Sequence, residues 1–351
     1  MTIQPDLLTM RDGTPVAAAA QWPARREELL NTLAREQYGF APPAPKAVRG
    51  EILSASDRCC AGHARAEEIR LSFDTPGGAF AFPLRLVCPT APGPHPAFIY
   101  LSFSPELYHE SCPVEEIVDH GWALAMIPYQ AVTSDDADMT SGLAGCYPRA
   151  EPTDWGKLAM WGWAASRAVD YLTTRPEIDS ANLGVIGHSR LGKAALVCAA
   201  WDERIRFAFS NDSGCGGAAL EVCAAPSVET YARMYRQFPY WGCENRARRP
   251  EATVTHDQHF LLAAIAPRYV AVGSASRDEW ANPRGEQACC IAASPAWALH
   301  GLPGYQGPEE PARVGEAYPE GRIGYHLRDG LHFLSRNDWL RYIDFADRHR
   351  A

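Results

Sequence analysis

Leu183-Gly184-Val185-Ile186-Gly187-His188-Ser189-Arg190-Leu191-Gly192-Lys193-Ala194-Ala195-Leu196 is the stretch whose reading decides the fold. A short apolar strand runs into Ser189, and a helical pattern begins directly behind it. Such a strand–turn–helix corner strains the serine backbone and exposes its hydroxyl at the helix N-terminus. Gly187 and Gly192 are small because strand and helix pass close together there. The helix dipole and the free N–H groups of the first turn then face any developing oxyanion. The general form of this corner is G-x-S-x-G. Here Leu191 stands two positions after the serine, and glycine follows one later. A plain βα turn with a serine cap is the competing reading of this motif alone.

Outward from the corner the chain alternates strands and helices. Upstream, strands are predicted over Glu51–Ala55, Glu68–Phe73, Phe80–Val87, Ala97–Phe103 and Trp122–Ile127, and helices over Gln21–Tyr38 and Trp155–Thr173. Downstream, strands fall at Leu183–Gly187, Ile205–Ser210 and Tyr269–Ser274. The downstream helices fall at Arg190–Trp201, His256–Ala264, Gln287–His300 and Asn337–Arg348. Several strands leading into repeated βα units predict an α/β protein with a mixed, mainly parallel sheet covered on both faces. No linker splits the chain into self-sufficient halves. Residues 1–351 are therefore expected to form a single domain, with residues 1–50 as a helical extension packed on it.

The composition narrows the function. The 351 residues carry a formal charge of −9, with 46% apolar and 21% charged residues. That is too hydrophobic for a disordered chain. No apolar run approaches the ~20 residues of a membrane helix, and the acidic balance argues against nucleic acid as a partner. The opening MTIQPDLLTMRDGTP lacks the basic start and apolar run of a secretory signal. A cytoplasmic location is expected, or a secreted one if a leader has been removed. There are 11 cysteines, and the neighbours Cys59–Cys60 and Cys289–Cys290 suit reduced thiols better than a disulfide framework.

A serine nucleophile needs a base, and the base needs an orienting acid. In α/β-hydrolases the chain order is serine, acid, histidine. His332, in the late loop Gly330-Leu331-His332-Phe333, is the expected base, because His326 falls within a predicted strand and reads as a hydrogen-bonded core residue. Two acids qualify. Asp212 follows the strand after the corner, in Ser210-Asn211-Asp212-Ser213-Gly214, and Asp278 follows the next strand, in Ser274-Ala275-Ser276-Arg277-Asp278. His256-Asp257-Gln258-His259 lacks a third ligand at useful spacing, so neither a metal nor a cofactor is expected.

With GHSRLGKAAL (187–196), SNDSGCGGAAL (210–220), DQHFLLAAIAPRYV (257–270), DEWANPRGE (278–286), GRIGYH (321–326) and DWLRYIDFADRH (338–349) in place, the chain resembles the glucuronoyl esterases of carbohydrate esterase family 15, in particular their bacterial branch. The likeness spans nearly the whole chain, and the family's G-x-S-R-x-G-K accounts for the displaced glycine. It implies an α/β-hydrolase fold, a three-layer αβα sandwich. It also implies a serine esterase that cleaves esters of 4-O-methyl-glucuronic acid, with a small-molecule or oligosaccharide uronate ester as its partner.

Carried onto this chain, the resemblance makes Ser189 the nucleophile, His332 the general base and acid, and Arg190 a holder of the oxyanion. Lys193 would meet sugar hydroxyls and Trp280 the uronate, with Glu229 and Gln237 near further sugar contacts. Asp212 falls where fungal members place their acid and Asp278 where some bacterial members do, and Asp212 is preferred. The chain departs from the family at Tyr240-Trp241-Gly242-Cys243, at Leu331 and Phe333 beside the base, and at Leu101-Ser102-Phe103-Ser104. Loss of polar groups there would favour a smaller or less polar alcohol. Two other functions stay open: deacetylation of sugar acetyl esters by the same triad, and a catalytically silent carbohydrate binder.

Overall fold

The computed structural model describes residues 6–249 and 255–350. Ten strands form one sheet: β1 (Arg49–Cys59), β2 (Ala64–Thr75), β3 (Gly78–Pro89), β4 (His95–Ser102), β5 (Ala123–Pro128), β6 (Ile178–His188), β7 (Phe207–Asn211), β8 (Tyr269–Ala275), β9 (Ala317–Tyr318) and β10 (Ile323–Arg328). Their spatial order is β1-β2-β3-β5-β4-β6-β7-β8-β10-β9. The run β5-β4-β6-β7-β8-β10 is parallel, and the pairs β1/β2, β2/β3, β3/β5 and β9/β10 are antiparallel.

The central strands are continuous apolar runs because both of their faces are covered. Every residue of β4, β5, β7 and β8 is buried. Along β4, Ala97, Ile99 and Leu101 enter one core, and Phe98 and Tyr100 enter a second on the opposite face. The helices Lys157–Leu172 and Arg190–Trp201 cover the first face. Val114–Asp119 and Arg336–His349 cover the second. Each fully buried Leu, Ile or Phe side chain stabilises this three-layer arrangement by about 1.5–3 kcal/mol. The sandwich is therefore held from two sides, and the sheet edge where its parallel strands end stays open for a site.

Several element boundaries differ from the sequence pattern for local reasons. The helix expected over 287–300 begins at Pro283, because the Asn282 side chain accepts the Gly285 N–H and Pro283 suits the first turn. It ends at Ala293, and Pro295 starts a separate turn. The first helix is regular over Trp22–Leu33 and widens into a π turn over Ala34–Tyr38. Here Tyr38 buries its ring and donates its hydroxyl to Gly216 O at 2.9 Å. Arg26 ties the same helix to the body by donating to Ala264 O at 2.7 Å and Ala200 O at 2.6 Å. His326 lies in β10, buried, with Nε2 2.9 Å from Asp338 Oδ1. Among the described residues, no helix is long and apolar enough to cross a membrane.

Candidate active site

Ser189 sits at φ +57°, ψ −128°, between the end of β6 and the helix Arg190–Trp201. Its N–H donates to Asn211 O on β7 at 2.8 Å, which holds the corner against the sheet. A Cβ on Gly187 would lie 2.2 Å from Leu191 O, and one on Gly192 3.0 Å from Ser213 Cβ. The displaced glycine of the motif therefore still serves a close approach, now to the loop after β7. By helix geometry the N–H groups of the first turn have no intrahelical acceptor. They sit beside the serine hydroxyl.

Two later loops bring the remaining groups. His332, following β10, places Nε2 2.9 Å from Ser189 Oγ. Its Nδ1 lies 2.5 Å from Oδ2 of Asp278, which follows β8. A carboxylate only accepts, so Nδ1 carries the proton and donates, and Nε2 is left to accept from the serine hydroxyl. Oδ1 of Asp278 in turn accepts from Ala281 N at 3.3 Å. Of the two acids at the sheet edge, it is Asp278 that holds the imidazole.

This corrects the preference for Asp212. That residue is equally buried, and it comes within 4.8 Å of both Asp278 and His332. Its oxygens are engaged elsewhere. Oδ1 accepts from Ala275 N at 2.7 Å, and Oδ2 faces Arg328 Nη2 at 3.4 Å. Burial raises the Asp212 carboxyl well above its ordinary range, and the charges of Glu286, Asp278 and Asp338 push the same way. Behind it, the buried Glu286 accepts from Ser213 N at 2.8 Å, Gly214 N at 3.0 Å and the Ser274 hydroxyl at 2.5 Å. Burial nevertheless pushes Glu286 up to about 7.

Ser189, Arg190, Lys193, Asp212, Glu229, Gln237, Trp280 and His332 line one cavity of about 250 Å³. Arg190 is anchored through Nη1 to Asp135 and lies among the rings of Phe103, Phe238 and Trp241, the last 4.9 Å away. Its Nε is buried without a hydrogen-bond partner among the described residues, so one donor is unspent. Lys193 differs from expectation. An ammonium has three donors, and these go to Ser213 O at 2.7 Å, Cys215 O, and Glu229 Oε2 at 2.6 Å. Lys193 and Glu229 both line the cavity. Trp280 is 40% exposed, and Gln237 is also exposed at the cavity rim.

Three participants, Asp135, Phe238 and His188, were not singled out from the sequence. Asp135 accepts from Trp241 Nε1 at 2.8 Å as well as from Arg190, and Trp241 stacks on Phe238 with centroids 3.9 Å apart. The aromatic stretch around Trp241 was a usable signal, whereas Asp135 lies in the undistinguished run Ser134-Asp135-Asp136. The His256–His259 stretch is committed to structure. Asp257 accepts from the N–H groups of Glu221 and Val222, and His256 Nε2 lies 2.8 Å from Gln37 Oε1.

His188, just before the nucleophile, packs against His332 with ring centroids 4.4 Å apart and planes tilted by 47°. Burial, and secondarily the charge of His332, push it down to about 3, so it stays neutral beside the base. Asn211 Nδ2 points toward Gly273 O at 3.5 Å, so its Oδ1 accepts from His188 Nδ1 at 2.8 Å.

A strained serine at a strand–helix corner, met by a histidine and a carboxylate from the ends of two later strands, defines the α/β-hydrolase class. Comparison with known proteins narrows it. A family model described as glucuronyl esterase, fungi, matches residues 72–301. A protein described as a carbohydrate esterase, from an unknown prokaryotic organism, is 30% identical over 98% of this chain and 89% of its own length. A solved glucuronoyl esterase from Solibacter usitatus superposes with a TM-score of 0.90 at 31% identity, covering 99% of this chain and 97% of that one. A structure described as a promiscuous family 15 esterase from a marine bacterial metagenome gives 0.89 at 30% identity, covering 100% and 98%. The chain belongs to the glucuronoyl esterase family, carbohydrate esterase family 15.

Proposed function

We propose that this protein is a serine esterase that hydrolyses esters of (4-O-methyl-)glucuronic acid. The observation that carries the reading is the Asp278–His332–Ser189 hydrogen-bond chain beside a cavity that Ser189, His332 and Arg190 line. Ser189 Oγ attacks the ester carbonyl as its proton passes to His332 Nε2, and Asp278 stabilises the imidazolium. Arg190 Nε and the first-turn N–H groups hold the oxyanion. His332 then protonates the departing alcohol, and water, activated by the same imidazole, releases the uronate from Ser189. Glu229, held by Lys193, accepts from a sugar hydroxyl, Gln237 meets the ring at the rim, and Trp280 offers it an apolar face.

Steady-state hydrolysis of methyl and benzyl glucuronate tests this. Both esters are expected to be cleaved, and Ser189→Ala is expected to lower kcat by about 10⁶, as loss of a triad serine does. Rates no higher than the variant's would end the proposal. Deacetylation of sugar acetyl esters by the same groups is a second reading, supported by the promiscuity stated for the metagenomic relative. Acetyl and glucuronoyl esters compared at equal concentration separate the two.

The chain is read as one hydrolase domain with residues 6–50 packed on it, supported by the Arg26 and Tyr38 bonds to the body; residues 1–5 of the expected extension lie outside the described residues. The eleven free thiols support a reducing compartment such as the cytoplasm. Cell fractionation tests that placement.

A further inference from the structure

His332 stands in the middle of three exposed residues, between the buried Gly330 and Leu334. Leu331 is 58% exposed and Phe333 47%, so apolar packing does little to hold this stretch. The chain before it is tied to the loop that carries Asp278. Ser276 N donates to Arg328 O at 2.9 Å, and Arg277 N donates to Gly330 O at 2.9 Å. Those bonds end two residues before the base. Beyond them, the backbone of residues 331–333 has one hydrogen-bond partner among the described residues, the guanidinium of Arg328. Its Nη2 donates to Leu331 O at 3.0 Å and to Phe333 O, the carbonyls of the residues on either side of His332.

Arg328 ends β10 and is itself firmly held. It is buried, its Nε donates to Asp338 Oδ2 at 2.7 Å, and its Nη1 donates to Asp329 O at 3.2 Å. Its Nη2 also faces Asp212 Oδ2 at 3.4 Å, so the buried cation stands between two buried carboxylates. A Cβ on Gly330 would lie 2.2 Å from Nη1, and the missing side chain leaves room for the guanidinium. A planar fork with five donors can serve acceptors spread this widely, whereas an ammonium is a compact point charge. We propose that Arg328 is a positioning residue for the reaction. It pins the loop of His332 from behind, so that Nε2 stays within reach of Ser189 Oγ. The inference rests on the esterase function proposed above and adds to it a group outside the cavity that the catalytic serine lines.

The test measures kcat and KM on methyl glucuronate. Arg328→Lys keeps the charge that Asp338 and Asp212 pair with but loses the fork. It is expected to lower kcat by about a hundredfold, the cost of misplacing a reacting group by about 1 Å, with KM close to the wild-type value. In a His332→Ala background no imidazole is left to place, and the same substitution should change the residual rate by less than about twofold. A loss of kcat below about tenfold, or one that persists in that background, overturns the proposal while leaving the esterase reading intact. If Arg328→Lys does not fold, the double variant Leu331→Ala/Phe333→Ala decides. It removes the exposed side chains, including the Phe333 ring 4.3 Å from the guanidinium, and keeps both carbonyls. Its kcat should stay within about threefold of the wild type, as for substitutions of exposed side chains. A larger loss would mean that those side chains place the base, and it overturns the proposal. No hydrolysis by the wild type above Ser189→Ala removes the esterase reading and this inference with it.

Discussion

The loops after β7 and β8 each bring a carboxylate to the same edge of the sheet, and the two acids are used differently. Asp212 and Asp278 are both buried, and both stand close to His332. Asp278 turns one oxygen to the imidazole and the other to a single N–H of its own loop. Asp212 faces β8 and Arg328, where its burial and, after that, the neighbouring acids push its proton affinity up. Proximity to the base is thus not enough to make an orienting acid. A carboxylate must also have a lone pair aimed at Nδ1, and here the hydrogen-bond partners of each loop decide which one does.

Substitution tests this contrast most directly at Asp278. Asp278→Asn keeps the shape but leaves His332 without a carboxylate for its Nδ1–H, so kcat should fall by about 10⁴, as when a triad aspartate is replaced by asparagine. A loss below tenfold in steady-state rates would show that another group holds the imidazole. The double variant Asp212→Asn/Asp278→Asn sharpens the point. If Asp212 does not substitute for its neighbour, the double loses no more than about tenfold beyond Asp278→Asn. A much larger further loss would reveal a shared role.

Asp212→Asn alone should cost less than about tenfold in kcat, because its contacts are to Ala275 N and Arg328 and not to the imidazole. Its Asn side chain can still accept from Ala275. A loss comparable to that of Asp278→Asn, measured on the same ester, would reverse the assignment.

The smallest effect concerns the acid set behind Asp212 and is one of stability. Glu286 rises from 4.5 to about 7 on folding. A carboxyl whose folded value is raised binds its proton more tightly in the folded state, so stability falls as pH rises between those two values. The contribution is present below 4.5 and lost above about 7. Glu286→Gln removes that slope while preserving an acceptor for Ser213 N and Gly214 N. The fall in Tm between pH 5 and pH 8 should shrink by a few degrees in the variant, because a shift from 4.5 to about 7 corresponds to about 3 kcal/mol. An unchanged difference in thermal unfolding would show that Glu286 is not the titrating group.

Much of the architecture was legible because it is written locally. The helix Arg190–Trp201 appears where its pattern placed it, since a glycine-spaced corner, a start signal and an apolar face all lie within one stretch. The buried parallel strands announce themselves as continuous apolar runs. Boundaries were missed where a distant or single side chain sets them, as Asn282 does by capping a helix four residues before its expected start. Within the site, eight expected residues line one cavity, and the ninth, Asp278, stands behind His332. Asp135 was not legible. Its only distinction is that the fold sets it against Arg190 and Trp241, from a segment 55 residues before Arg190.

Local sequence is enough to place a serine at a strained strand–helix corner, to set a late histidine and two acids after it, and to reveal the likeness to one esterase family. These are properties of neighbouring residues, where backbone strain, close approach and chain order leave few alternatives. It takes the packed chain to bring Asp278 rather than Asp212 to His332, to bond Lys193 fully to the protein around it, and to set the buried His188 against the base. Those outcomes depend on side-chain directions from strands far apart in sequence. A hydrogen bond is settled within a few tenths of an ångström, a precision that composition and spacing do not carry.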